Sequence, residues 1–386
     1  ILTFGLLVQL RNPESAVMHG LETFRGAMSL IDQIAHHFSS FVSLDWSQYD
    51  QRVPLYCIVA YYAKFLPRLI VVSHGYARTH TYPNTTPQDI DKFARKLYNL
   101  LSFLLIWYIN MVFISYDGYA YVRLNGGVPS GLLNTQALDS FCNLYIIIDC
   151  MLEFGFTKPE IQKMIFFIMG DDNIFFSNIS FSRICQFMAF LTTYAESRHG
   201  MILSILKSVW TTLRSKIEIL GYTNFYGTPT RPVGKLVAQL AFPERPVPEN
   251  KEWMHAARAL GLAYAAAGAY ADFHLLCFLV YKKFVPSEPI EIRELRRTIK
   301  WTILEFLSIN EAEDNLFRFP EFPSLAHVRR EFSEYKGYLH ENGKVHENIF
   351  VEPLSINDDN IVTLADWLKN HPECVFHFDN IMQGYN

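Results

Sequence analysis

The chain has 386 residues, half of them hydrophobic, 15% aromatic and 19% charged, with a formal net charge of −4. Such a composition excludes bulk disorder and suits one large multi-subdomain body or two ordinary domains. It lacks the basic excess that advertises nucleic-acid binding, so any such site must gather its Lys and Arg inside a channel.

The first residue is Ile1, inside an apolar stretch with no charged leader or cleavage site, which reads as a fragment whose N-terminus lies upstream. Phe41, Val42 and Leu44 predict a short buried strand ending at Asp45. Pro54 suits a first helical turn, with LYCIVAYYAKFL following as a helix. Residues 73–91 are polar and Pro-containing, a loop or insertion.

Leu97 to Tyr116 is uncharged for twenty residues, long enough for a membrane span. Asn99, Asn110, Ser102, Ser115 and three Tyr lower its hydropathy, and a buried helix is the expected outcome. Asn125, Gly126, Gly127 and Pro129 form a break, and a helix from about Leu133 should end at Gly155 as its cap. IFFIM, GDDN and IFFS read as two core strands around a polar turn, a β-hairpin. Beyond Arg231 come Pro232, Pro243, Pro246 and Pro248, then an Ala-rich helical region over 255–285 and a charged helix over 288–307.

The six cysteines are scattered without a CxxC pair and read as reduced thiols. The thirteen histidines show no metal-ligand spacing.

Three segments carry chemistry. Asp171 and Asp172 sit at the hairpin tip, where adjacent carboxylates repel unless a cation neutralises them. Alone, the pair is an acidic turn. SLDWSQYD adds Asp45 at a strand end and Asp50 five residues later, which alone could cap a helix. Carboxylates on neighbouring strand ends can hold two Mg²⁺ ions about 4 Å apart for in-line phosphoryl displacement. Between them lies GGVPSGLLNTQALDSFCN, whose Gly126, Gly127 and Gly131 let backbone approach a ligand. Thr135, Asp139 and Asn143 recur every four residues and share a helical face that either meets a polar ligand or is simply wet.

The order D-x4-D, then SG-x3-T with a nearby Asn, then GDD resembles motifs A, B and C of the viral RNA-dependent RNA polymerase palm. LDWSQYD, GGVPSGLLNTQALDSFCN, MGDDN, LGYTNFYGTPTRP and KLVAQLAFPERP are most similar to partitivirus polymerases. The resemblance implies an α+β, right-hand fold of fingers, palm and thumb, with an antiparallel palm sheet, a helical thumb and incomplete N-terminal fingers. Its boundaries would be partial fingers and the approach to the palm over 1–40, palm with motif A over 41–72, a fingers insertion over 73–124, palm with motifs B to E over 125–235, and thumb over 236–386.

By the same resemblance, Asp45, Asp171 and Asp172 bind two Mg²⁺ or Mn²⁺ ions, and Asp50 senses the ribose 2′-OH. Ser130, Gly131 and Thr135 lie near the nascent pair. Where many relatives have Asn four residues after the motif B Thr, this chain has Asp139, so Asp139, Ser140 and Asn143 are alternatives for the ribose contact. Lys207, or failing it Lys216, would protonate the pyrophosphate. Only Arg11 and Arg25 are basic before residue 45, which suggests that the basic motif F is missing. The implied partners are template and product RNA, NTPs and a viral capsid protein, with no stable membrane insertion, in the host cytoplasm inside a virion. A reverse transcriptase would place a bulky residue at Asp50 and an aromatic at Gly170. A catalytically inactive, RNA-binding remnant would have no reason to keep clustered acids.

Overall fold

In the computed structural model the described residues are 15–75, 86–122, 126–132, 134–291, 293, 316–337, 361–374 and 376. They fall into two units, one drawn from 1–21, 35–220 and 338–386, the other from 22–34 and 221–337.

The first unit is built on a four-stranded antiparallel sheet. Its strands are β1 (Ser40–Leu44), β4 (Ile165–Met169), β5 (Asp172–Ser177) and β6 (Val209–Thr211), in the order β4-β5-β1-β6. Every residue of β1 is buried, because both sheet faces are covered. On one face Val42 lies opposite Phe175, and both join a core with Leu138, Cys142, Ile146, Ile184 and Phe187. On the other face Phe41 meets Phe176 edge-on at 5.2 Å. The apolar runs flanking the polar turn therefore form the expected hairpin, and the strand before Asp45 lies beside it.

Two helices cover the first face, α5 (Thr135–Phe154) and α7 (Phe181–His199), with the short helix α6 (Lys158–Gln162) between them in the chain. Gly155 ends α5 in the left-handed conformation, φ 98°, the cap that its sequence predicts. Asn125 and Leu133, part of the predicted break and helix start, lie outside the described residues.

Elsewhere the sequence expectations need adjustment. Pro54 stands one residue outside α2 (Leu55–Ala60), as its extended N-cap. The predicted single helix continues as a π turn (Tyr61–Phe65) and α3 (Leu66–Leu69). The polar segment ends sooner than residue 91, since α4 (Pro87–Ile109) starts at a capping box in which Thr86 and Asp89 bond reciprocally. Residues 76–85 of that segment lie outside the described residues.

The uncharged stretch is not wholly a buried helix. In α4, Ala94, Leu97, Leu101, Leu105 and Tyr108 face the core at three- and four-residue spacing, while Phe103, Ile106 and Trp107 are exposed. Its last residues leave the helix for an exposed hairpin of β2 (Val112–Ile114) and β3 (Ala120–Val122). Among the described residues, no helix is long and apolar enough to cross a membrane.

The second unit contains helices Val233–Ala241, Trp253–Ala265 and Ala271–Phe284. Ala256, Ala259 and Ala263 allow close packing against Phe273 and Cys277. The Ala-rich region is thus two helices, parted near Ala267, whose φ is 48°. Of the predicted charged helix over 288–307, Ile290–Glu291 is instead a strand paired with Leu316–Phe317. Residues 292 and 294–307 of it lie outside the described residues. All six cysteines are free thiols.

Candidate active site

The acidic residues converge at one end of the sheet. Leu44 of β1 is opposite Asn173 of β5, so the next step of the same register brings Asp45 beside Asp172. Asp172 also faces Met169 across the hairpin, leaving Gly170 and Asp171 as a two-residue turn. Gly170 has φ 68° at the first turn position, which two-residue hairpins commonly give to glycine. A Cβ there would also come within 3.2 Å of the Gln136 amide.

The turn is held from behind by α5. Ser140 Oγ accepts the Gly170 N–H at 3.0 Å and donates to Gln136 O at 2.7 Å. Asn143 Nδ2 donates to both Gly170 O and Asp171 O at 2.9 Å. Its Oδ1 accepts from Trp46 Nε1 at 3.2 Å and from Asn173 Nδ2 at 3.0 Å. Ser140 and Asn143 are fully buried. Of the face read as meeting a polar ligand, Asn143 therefore meets the carboxylate-bearing turn instead, joined there by Ser140 from beside that face.

Asp45 is fixed from the opposite side. Its backbone N–H bonds Ser208 Oγ at 3.1 Å, and its carbonyl accepts the Ser204 N–H at 2.8 Å. The turn between those residues carries Lys207, whose ammonium lies 3.7 Å from Asp45 Oδ1 with 71% of its side chain exposed. Lys216, the second choice, sits in the short turn Arg214–Lys216 and forms no ion pair with these acids.

Asp50 opens the short helix α1 (Tyr49–Arg52) and is exposed, with Ser130 Oγ 3.5 Å from its Oδ2. The glycine-rich loop docks on this segment through Val128 N to Asp50 O at 2.6 Å and Gly127 N to Val53 O at 2.7 Å. A Cβ on Gly126 would sit 2.5 Å from Val53 O, and one on Gly127 2.9 Å from Asp50 O. These two glycines serve a close approach of protein to protein. Gly131 is the one that faces open space. The Thr135 hydroxyl donates to Pro129 O at 2.8 Å, tying the loop to the start of α5.

Asp139 differs from its neighbours Ser140 and Asn143. Its backbone carbonyl accepts the Tyr49 hydroxyl at 2.7 Å, but its Oδ1 is buried without a partner. Burial first, then the charges of Asp171 and Asp50, push its pKa up to about 8. Asp172 is pushed up to about 6, by burial first and then by Asp171 and Asp45. At neutral pH Asp139 thus carries a proton much of the time, which relieves the juxtaposition of acids around it.

Among the described residues, no three His, Cys, Asp or Glu side chains form a closed metal cage. The chemistry nonetheless fits a divalent cation. The donors are hard carboxylate oxygens, and Asp172 is raised by its burial first and then by the charges of Asp171 and Asp45 beside it, both of which a cation would offset. Lys207 offsets that charge from one side. Trp46, Tyr49, Asn173 and Ser208 support the site without having stood out in the sequence. Their signal was adjacency, since each lies within a residue or so of a named acid or lysine.

Comparison with known proteins matches residues 2–230 to the family model described as viral RNA-dependent RNA polymerase. An RNA-directed RNA polymerase of Atkinsonella hypoxylon virus is 38% identical over 380 residues, 93% of this chain and 56% of that protein. Another, of White clover cryptic virus 1, is 29% identical over 273 residues, 66% of this chain and 41% of that protein. Both are partitiviruses. The chain spans about half the length of the curated relatives it matches.

Among solved structures, a Sicinivirus 3Dpol RNA-dependent RNA polymerase aligns with a TM-score of 0.52 and 14% identity, covering 73% of this chain and 55% of that one. The insertion-loop deletion mutant of a human picorbirnavirus RNA-dependent RNA polymerase aligns with a TM-score of 0.50 and 15% identity, covering 84% and 56%. At such identities the likeness concerns the fold, which is that of the right-hand polymerases.

Proposed function

We propose that this chain, which belongs to the viral RNA-dependent RNA polymerase family, carries out template-directed RNA synthesis from NTPs. The genome it copies would be double-stranded RNA, in the host cytoplasm and within a capsid, as the resemblance of its motifs to partitivirus polymerases implies. One observation carries the reading: the sheet register brings Asp45 beside Asp172, with Asp171 on the adjoining turn and Lys207 3.7 Å from Asp45.

Asp45, Asp171 and Asp172 would hold two Mg²⁺ or Mn²⁺ ions, which when bound stabilise the charge of an in-line displacement. The reaction joins a 3′-hydroxyl to the α-phosphorus of an NTP and releases pyrophosphate. Lys207, exposed beside Asp45, supplies a proton to that leaving group. Asp50 and Ser130 stand together at the exposed rim, where a ribose hydroxyl can exchange for their 3.5 Å contact. Asp139, protonated and unpartnered, offers a hydrogen-bond donor from deeper in the site. Ser140 and Asn143 act through the Gly170–Asp171 turn that they hold. Template is read by base pairing, and the protein contacts backbone and 2′-hydroxyl groups.

The test is RNA synthesis by the full-length protein on a short template with Mg²⁺ or Mn²⁺, beside an Asp171→Asn variant. Incorporation in the parent and its loss in the variant are expected. A folded full-length protein that binds RNA but incorporates nothing with either metal overturns the proposal.

A further inference from the structure

The ladder between β1 and β5 ends at Leu44 opposite Asn173, and the hairpin ladder ends at Met169 opposite Asp172. Asp45 and Asp171 lie just past those last pairs, so the ladder holds each of them from one side only. We propose that Trp46 is a positioning residue, whose indole N–H sets the spacing of the Asp45 and Asp171 carboxylates for a pair of cations.

The connection runs through buried side chains. Trp46 follows Asp45 directly, and successive side chains of an extended chain point to opposite sides. Its ring therefore enters the core, with Trp46 only 4% exposed, while Asp45 faces the site. The backbone beneath the ring is anchored by the strand pair of Trp46–Ser47 with Ile202–Leu203. Trp46 Nε1–H donates to Asn143 Oδ1 at 3.2 Å, and Asn143 Nδ2 donates to Asp171 O at 2.9 Å. One indole and one amide thus span from the residue after the first carboxylate to the residue that bears the second.

Space filling alone would not need this donor. Asn143 Oδ1 also accepts from Asn173 Nδ2 at 3.0 Å, so it would stay satisfied beside a phenylalanine. A phenylalanine would fill much of the same volume and bury no N–H that needs an acceptor. The indole N–H is therefore an additional tie on the amide that grips the Gly170–Asp171 turn. Ties of this kind orient metal-binding groups, and losing one typically costs about tenfold or more in metal affinity or activity.

This role, which rests on the polymerase reading of the acidic site, is tested by removing the N–H and keeping the ring. The full-length protein is compared with Trp46→Phe and with a variant carrying 3-benzothienylalanine at position 46. That residue keeps the indole's shape without its donor. Mn²⁺ binding is followed by electron paramagnetic resonance, with an NTP analogue whose α–β bridge cannot be cleaved. Both variants should bind Mn²⁺ about tenfold more weakly. At saturating Mg²⁺ their kcat should fall about tenfold, with KM for NTPs within about twofold of the parent's. Circular dichroism and melting temperature should stay near the parent's, because no buried group loses its last partner. Parental metal binding or parental kcat in both variants overturns the proposal. So does a loss confined to one of them, since shape and not the shared missing N–H would then be the cause, and so does a loss that tracks unfolding. A parent that binds no Mn²⁺ fails the polymerase reading itself, and the spacing role falls with it.

Discussion

Asn143 on α5 and Asp171 in the hairpin turn are joined by a 2.9 Å hydrogen bond from the Asn143 amide to the Asp171 carbonyl. One buried side chain thus positions a carboxylate by gripping its backbone, leaving the carboxylate itself free. Replacing Asn143 with Ala should remove the grip and strand the Trp46 and Asn173 donors, costing roughly 2–4 kcal/mol of stability. Denaturant unfolding would show the loss. Nucleotide incorporation should fall even below the unfolding temperature, because the turn that carries Asp171 loosens.

Lys207 offers the converse case. With 71% of its side chain exposed, Lys207→Met should change stability by no more than about 0.5 kcal/mol. Loss of a general acid should slow incorporation by about 10²-fold. Single-turnover kinetics would separate this from weaker NTP binding, and unchanged rates would remove Lys207 from the chemistry.

The raised Asp139 makes a statement about pH. Its folded pKa of about 8 lies above its ordinary value of 3.8, so the folded chain holds this proton more tightly than the unfolded chain does. The associated stability is complete below pH 4 and is lost as pH rises to about 8, with a slope of roughly 1.4 kcal/mol per pH unit at most. Melting temperatures of the metal-free protein should therefore fall across that window, and Asp139→Asn should flatten the fall. Asp45→Asn serves as a control that should leave the contribution from the upper part of the window in place.

Metal binding should be linked to Asp172, whose pKa is pushed up to about 6. Near pH 6 Asp172 is protonated in about half of the molecules, and a bound cation would expel that proton. Calorimetric titration of Mg²⁺ in buffers of different ionisation enthalpy should show proton release at pH 6 that shrinks by pH 8. Equal release at both values would place the cation elsewhere.

Gly127 links the loop to α1. A Cβ there would lie 2.9 Å from Asp50 O, at a φ of 88° that other residues rarely adopt. Gly127→Ala should cost about 1–3 kcal/mol. By shifting Ser130 away from Asp50 it should also raise the KM for NTPs more than it lowers kcat. A matching Gly131→Ala, with open space around it, should cost about 1 kcal/mol from backbone conformation alone.

Local chemistry was readable directly. The apolar runs around Gly170–Asp172, the glycine cap of α5 and the strand before Asp45 follow from periodicity and turn chemistry over a handful of residues. The order of motifs carried the family resemblance, which the relatives bear out. Harder cases were those where a local rule had two solutions. The uncharged stretch after Leu97 has the hydropathy of a buried helix throughout, yet α4 stops at Ile109 and the chain turns into a hairpin.

The sequence by itself determined which residues could bear the chemistry, because carboxylates, a lysine and a glycine-rich loop keep their types wherever the chain goes. It could not apportion Asp139, Ser140 and Asn143, which stand on one helix within four residues of each other. Tertiary structure decided that: Ser140 and Asn143 find partners in the Gly170–Asp171 turn, thirty and twenty-seven or more residues away, and Asp139 does not. Whether a polar side chain is bound or free depends on what the fold brings opposite it, and that pairing is nonlocal. The same holds for the register that sets Asp45 beside Asp172 across more than a hundred and twenty residues of chain.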